Sequence, residues 1–503
     1  MGGEKMHNKK ILCLLSAACV FAAGSATANV WVFEPSISLD QRFDDNYFLE
    51  PSGDGNLSAT RAVGELGLSR QSAVAVIKGL VRVDGLLTTQ SDAGEEGLES
   101  NRLVAFDVKM RSARSRYGVL GSFKQDTPSR DIAADLSDPG SISSDTGLNI
   151  PSQSSNVARQ EVTLEPYFSY DLTRRLEFSS KATLTFVEHE LPDVQDAIYQ
   201  RYYSQLPRDE SGNIEGLVLP YNEVTIADVG VFSPDGELDD FNESKIEVGL
   251  RYKYNPISTV TFTAAFSKFS AQVNIDPFAF VPFEDLIADP RALDIRRLPR
   301  RDSLSTTASF KLGYERFLTP TLQLGVSAGV YTNSSDRSDT LRADDNAPDQ
   351  VIPVERLEEL KSDSDGWLAS VGITRDTGLT RYVGKFSVDV QPSSSGSQVE
   401  TQELTGDIFR IINPRLNFSL RARAYEPDRL GANEEDRFAR RFISIEPKID
   451  WKYARNWTVS AAYRYRRQKA RIDPVPAESN AILLSLKYTP PSKIRDAATA
   501  NGL

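Results

Sequence analysis

The sequence predicts an all-β chain that folds as a single antiparallel transmembrane barrel of about eighteen strands, and three observations predict it. Segments of roughly ten to sixteen residues alternate apolar and polar from Trp31 to Tyr488. The connections between them alternate strictly between short and long, and aromatic residues gather beside the short ones.

The alternation has the period of a strand with two different faces. In Ser303–Glu315, Leu304, Ala308, Phe310, Leu312 and Tyr314 fall on one face, and Ser303, Ser305, Thr307, Ser309 and Lys311 on the other. Val260, Phe262, Ala264 and Phe266 alternate with Thr259, Thr261, Thr263 and Ser267; Leu322 through Val330 and Ile443 through Tyr453 repeat the pattern. Such segments are long for a soluble sheet, where about five or six residues is usual, whereas a membrane crossing needs about nine to eleven. Leu57–Ser69 and Val399–Phe409 alternate more weakly.

Short connections lie near Ser69–Ser72, Arg111–Arg116, Asp171–Arg175, Asn255–Thr259, Phe317–Thr321, Asp376–Thr380, Ile412–Arg415 and Tyr453–Asn456. Long ones fall near 44–56, 88–101, 126–158, 190–242, 276–302, 333–364, 391–398, 426–437 and 470–479. Short periplasmic turns and long extracellular loops are the mark of a transmembrane barrel. Tyr170, Tyr254, Tyr314, Phe317, Tyr382, Trp451, Tyr453, Trp457 and Tyr488 then form an aromatic girdle at one membrane interface.

The N-terminus supports export. Lys9 and Lys10 precede an apolar run from Ile11 to Ala23, and Ala26-Thr27-Ala28 gives the small-x-small pattern of a signal peptide cleaved after Ala28. The expected organisation is a leader over 1–28, a barrel over 29–488 and a C-terminal periplasmic tail over 489–503. Both cysteines (Cys13 and Cys19) lie in the leader, and His189 is the sole histidine beyond it. Disulfide scaffolds, cysteine-based metal sites and cysteine nucleophiles are thereby excluded from the mature chain. Losing Lys5, Lys9, Lys10 and Glu4 moves the net charge from −12 to −14, which disfavours nucleic acid as a partner.

At sixteen to eighteen strands a barrel leaves an aqueous lumen unless loops plug it. The polar face of the late strands places Glu403, Asp407, Arg421, Arg423, Glu446, Lys448, Asp450, Lys452, Arg464 and Arg466 along that lumen. Arginines there could hold an anionic solute, but wall charges of both signs more simply pair across strands. In the long 190–242 connection, Asp193–Gln205 has helical character, and Tyr199, Tyr202 and Tyr203 would line a constriction if it folds inward or cap the barrel if it does not. Arg296, Arg297, Arg300 and Arg301 form a charge run near the mouth, suited either to solvent or to lipopolysaccharide phosphates. No Gly-rich phosphate loop, HExxH helix or GxSxG elbow is present, and His189, between Glu188 and Glu190, implies no particular serine partner. No enzyme, cofactor or metal site is expected.

The first strand reads Trp31-Val-Phe-Glu-Pro-Ser-Ile-Ser-Leu-Asp-Gln-Arg-Phe-Asp-Asp-Asn46, and the last Asn480-Ala-Ile-Leu-Leu-Ser-Leu-Lys-Tyr488 after Tyr463-Arg-Tyr-Arg-Arg467. These termini resemble the outer-membrane β-barrel porin family associated with exopolysaccharide loci. The resemblance implies a barrel embedded in outer-membrane lipid and lipopolysaccharide, and a conduit for an exported polysaccharide working with periplasmic export components. The residues themselves permit a diffusion porin for small hydrophilic solutes equally well, and also a structural barrel that transports nothing.

Overall fold

A computed structural model of the chain describes residues 30–46, 56–90, 96–126, 158–190, 240–274, 297–343, 355–392, 398–429, 440–470, 476–491 and 493–496. The leader, Asp193–Gln205, Arg296 and most of the long connections lie outside the described residues. The described elements are strands: β1 (Val30–Asp44), β2 (Leu57–Gln71), β3 (Ala75–Gln90), β4 (Glu96–Arg111), β5 (Ser115–Asp126), β6 (Ala158–Asp171), β7 (Leu176–Glu190), β8 (Asp240–Asn255) and β9 (Ser258–Asn274). They continue with β10 (Arg297–Thr319), β11 (Leu322–Ala343), β12 (Glu355–Asp376), β13 (Thr380–Pro392), β14 (Gln398–Asn413), β15 (Leu416–Arg429), β16 (Arg440–Ala454), β17 (Trp457–Ala470), β18 (Ala477–Tyr488) and the short β19 (Lys493–Asp496).

From β1 to β18 every strand pairs antiparallel with the next, and β18 returns to β1 with Tyr488 opposite Ile37 and Ala481 opposite Asp44. The sheet is therefore closed: an eighteen-stranded antiparallel barrel. Closure removes the free edges that an open sheet would expose to lipid. With about 4.8 Å between strands and a tilt of about 40°, eighteen strands enclose a backbone radius of roughly 18 Å.

The short turns are built by their own side chains. Ser72 Oγ accepts the Ala75 amide at 2.9 Å, Thr173 Oγ1 that of Leu176 at 3.0 Å, and Asn413 Oδ1 that of Arg415 at 2.8 Å. These are local bonds that Ser, Thr and Asn offer to a reversing backbone. At Asp376–Thr380, Gly378 has φ +83°, a left-handed conformation that a side chain disfavours. Within the sheet, Gly118 and Gly329 are the closest approaches: a Cβ at Gly118 would lie 2.1 Å from the Val108 carbonyl oxygen and 2.5 Å from Tyr167 Oη, and one at Gly329 would lie 2.1 Å from the Phe310 carbonyl oxygen.

The two faces behave as the alternation dictates. Directly opposed residues share a face, so register carries one assignment round the barrel: Ile37 with Gly64, Val81 with Val104, Phe262 with Leu312, Val330 with Trp367. The outer positions include most of the exposed large apolar side chains, Phe310 at 53% and Ile246 at 57% among them. The inner face is polar, and most of the buried charged side chains lie on it.

Several boundaries differ from the sequence expectation. The connection read as 333–364 shrinks to 344–354, because β11 and β12 run 22 residues each and β10 runs 23. Those extensions carry polar residues on both faces and so lack the apolar alternation; they are strands because neighbouring backbones satisfy each other, as Asn333 opposite Ser364 and Ser335 opposite Ser362 show. The tail also contributes structure. Beyond Pro490 and Pro491, β19 sets Lys493 opposite Phe33 and Asp496 opposite Val30, so β1 is paired below the end of β18. Of the girdle aromatics, Tyr170, Tyr254, Tyr314, Tyr382, Trp451, Tyr453, Trp457 and Tyr488 take outward positions beside the short turns, with Trp457 and Tyr488 ring centroids 4.8 Å apart. Phe317, at the bulged end of β10 opposite Gln323, falls instead on the inner parity.

Candidate functional site

The barrel interior is the candidate site, and its side chains follow from the same period. On β14, β15 and β16 the inner register brings Asp407, Arg421 and Glu446 into one row and Thr405, Arg423 and Ser444 into the next. Arg423 Nε donates to Glu403 Oε1 at 2.6 Å, and Arg421 Nε lies 3.5 Å from Asp407 Oδ1. One strand further, Arg464 donates to Glu446 at 2.5 Å, and Lys448 lies 3.1 Å from Asp450, which also accepts Ser460 Oγ at 2.6 Å. Lys452 stands two residues nearer the short turn. Thus Glu403, Asp407, Arg421, Arg423, Glu446, Lys448, Asp450, Arg464 and Arg466 all lie on the inner face, each near a group of opposite charge. Tyr199, Tyr202 and Tyr203 lie outside the described residues, as does the side chain of His189.

The largest group of buried charges lies at the closure, where β1, β2 and β3 meet β17 and β18, and of its charged members the sequence reading singled out only Arg466. Arg466 Nη2 donates to Asp44 Oδ2 at 2.9 Å, Ser479 Oγ donates to Asp44 Oδ1 at 2.7 Å, and Arg42 pairs with the same carboxylate. Asp44 is fully buried and Arg466 is 1% exposed. Next to this cluster, Arg61 donates to Asp84 at 2.8 Å, Arg82 lies 3.5 Å from Asp84 and 3.9 Å from Glu65, and Lys487 donates to Glu65 at 3.2 Å. The signal was present in Ser36-x-Ser38-x-Asp40-x-Arg42-x-Asp44, a polar run at every second position of β1. A cavity of about 250 Å³ opens on this wall between β15 and β3, with Asp40, Arg61, Lys448, Asp450 and Lys487 among its lining.

Two contacts reach further round the wall than these. Lys311 on β10 donates to Asp389 on β13 at 2.9 Å, and Tyr331 on β11 donates to Glu400 on β14 at 2.8 Å. Each passes over two intervening strands. The Tyr331 ring fills the space that a side chain at position 366 would need, so Gly366 is what lets it lie against the wall. Inward aromatics elsewhere are packed ring on ring: Tyr425 with Phe442 at 5.0 Å and Phe241 with Phe269 at 5.2 Å, of which Tyr425, Phe442 and Phe269 are buried. Among the described residues no group of three or more His, Cys, Asp or Glu side chains could hold a metal ion.

A closed barrel with an apolar exterior and a charged, internally paired interior has the architecture of the outer-membrane porins. No family model matches the sequence, and no curated protein matches it. Among solved structures the chain is similar to the outer membrane protein OpdK from Pseudomonas aeruginosa, with 8% identity over 91% of this chain and 98% of that one and a TM-score of 0.35. It is similar also to OccAB2 from Acinetobacter baumannii, at 8% identity over 91% and 97% with a TM-score of 0.38. A third likeness is to the ferric-catecholate import receptor Fiu from E. coli, at 10% identity over 90% and 81% with a TM-score of 0.41. The functional reading rests on the chain's own residues.

Proposed function

We propose that the chain is a diffusion channel of the outer membrane that passes small hydrophilic solutes. The observation that carries this reading is the inner wall itself: charges of both signs, paired within and across strands, around a lumen that eighteen strands hold open. Such a wall keeps water in the barrel. The nine residues from Glu403 to Arg466 named above then form part of the pathway's lining. A barrel with this exterior belongs in the outer membrane, with its short turns in the periplasm and the leader cleaved after Ala28.

Export of an exopolysaccharide, the reading the family resemblance implies, rests on that resemblance. Sugar passage is favoured by aromatic faces open to the solute, and the inward pairs Tyr425–Phe442 and Phe241–Phe269 spend their faces on each other. Two measurements separate the readings. Purified protein in planar bilayers should conduct, and proteoliposomes should swell in small sugars. A deletion strain should lose small-solute uptake and keep its surface polysaccharide; loss of polysaccharide with unchanged uptake would establish export instead. No conductance and no change in either phenotype would leave a barrel that transports nothing.

A further inference from the structure

At the end of the barrel that carries the short turns, charge is sorted by face. Arg70, Arg316, Arg375 and Arg410 occupy outward positions two residues beyond Leu68, Tyr314, Ile373 and Ile408. The register fixes this: Arg70 lies opposite Trp31, Arg316 opposite Leu324, Arg375 opposite Tyr382 and Arg410 opposite Phe418. The turns add Arg114, Arg174, Arg175, Arg415 and Arg455, all exposed. Among the described side chains, no Asp or Glu shares these outward or turn positions. The carboxylates of this end, Glu34, Asp171, Glu177, Glu315 and Asp376, all take inward register positions. There Arg116 reaches Glu177 at 2.6 Å and Asp171 at 3.7 Å, and Arg251 reaches Glu315 at 3.5 Å.

Among the described side chains the result is nine arginines and no lysine around the outside of one rim, in a chain whose net charge is −12; Lys493 and Arg495 of β19 also take outward register positions there, opposite Phe33 and Trp31. We propose that this rim binds the phosphate headgroups of anionic phospholipids in the leaflet that meets the short turns. The inference rests on the reading of the chain as a membrane-spanning channel. Three observations favour lipid over a solute in the lumen. The inner bases Arg116 and Arg251 already face inner carboxylates, and the outward arginines point away from the lumen. The arginines begin where the outward apolar residues stop, which is headgroup depth. Every outward base among the described side chains of this rim is a guanidinium, whose planar fork fits two oxygens of one phosphate. Arg70 moreover lies over the Trp31 ring at 5.3 Å, so that charge and aromatic surface meet at one depth.

The tryptophans supply the probe. Trp31, Trp451 and Trp457 are outward at this end, while Trp367 lies towards the other, so a Trp367→Phe background reports on the rim. Quenching by brominated-chain phosphatidylglycerol is compared with quenching by brominated-chain phosphatidylcholine, each diluted into phosphatidylcholine vesicles. The anionic lipid should be enriched about threefold to fivefold at the protein surface, and added salt should reduce that ratio. Replacing Arg316, Arg375 and Arg410 with glutamine, together with the five turn arginines, should bring the ratio close to one; Arg70 stays, because it contacts a reporter. A wild-type ratio of one, or a ratio unchanged in a variant that still folds and conducts, would overturn the assignment. Inorganic phosphate added at matched ionic strength should leave the ratio alone; if it abolishes enrichment, the rim is a site for free phosphate and the lipid assignment falls. A barrel that conducts without anionic enrichment refutes this inference and leaves the channel reading intact. A protein that never inserts refutes both.

Discussion

Replacing Asp44 with alanine should cost the folded barrel about 3–5 kcal/mol. The carboxylate sits at the closure between the first and last long strands, fully buried, and accepts from Arg42, from Arg466 at 2.9 Å, from Ser479 at 2.7 Å and from the Asn46 amide at 3.1 Å. It therefore ties β1 to β17 and β18, where the direct β1–β18 pairing runs only from Ile37 to Asp44. Removing it takes the shared acceptor from two buried guanidiniums, and the penalty comes chiefly from leaving that charge in place rather than from the bond lost. Asp407→Ala is the matched control. Its carboxylate is 50% exposed and its partner Arg421 is 44% exposed at 3.5 Å, so solvent takes over and the loss should stay within about 1 kcal/mol. Urea unfolding of both variants in lipid vesicles, followed by tryptophan emission, gives the comparison directly. The difference should amount to two powers of ten or so in the folding equilibrium. If Asp44→Ala costs no more than Asp407→Ala, the closure is not held by this cluster and the burial argument is wrong.

Phe310→Arg should destabilise by about 2–4 kcal/mol if the site lies near mid-membrane, whereas Ser309→Arg on the water-facing side should be tolerated; equal damage from both in the same unfolding assay would mean that the faces are misassigned. Gly118→Ala should be the costlier of two glycine changes, because the Val108 carbonyl at 2.1 Å from the new Cβ is backbone and the strands must separate to admit it. Gly378→Ala meets open space and should cost only about 1 kcal/mol for its positive φ, a difference readable from denaturation midpoints. Truncation after Thr489 removes β19 and leaves Val30–Phe33 without that partner; the refolded yield, scored by heat-modified gel mobility, should fall, and an unchanged yield would show that β18 alone suffices for closure.

How far the sequence reaches is visible residue by residue. Ser305 and Phe310 face opposite ways because successive side chains of a strand must, and that local rule holds without knowledge of any partner. The same rule put Glu403, Arg423, Glu446 and Arg466 on one face, and the breaks between alternating segments marked where the chain reverses. Strand count and the sidedness of each strand were thus written in the alternation. What alternation does not contain is distance across the sheet. Lys311 and Asp389 are 78 positions apart, Asp44 and Arg466 are 422, and neither pair exists until closure and register bring the strands round. The polar upper halves of β10, β11 and β12 carry no apolar stripe to announce them, and they are strands because adjacent backbones satisfy one another. Likewise β19 follows two prolines and is four residues long; only the start of β1, paired to β2 on one side and beyond the reach of β18 on the other, gives it a place. The sequence by itself determined which side chains share a face, because that depends on neighbours along the chain; the tertiary structure alone decided which charges meet and which are buried, because that depends on neighbours across it.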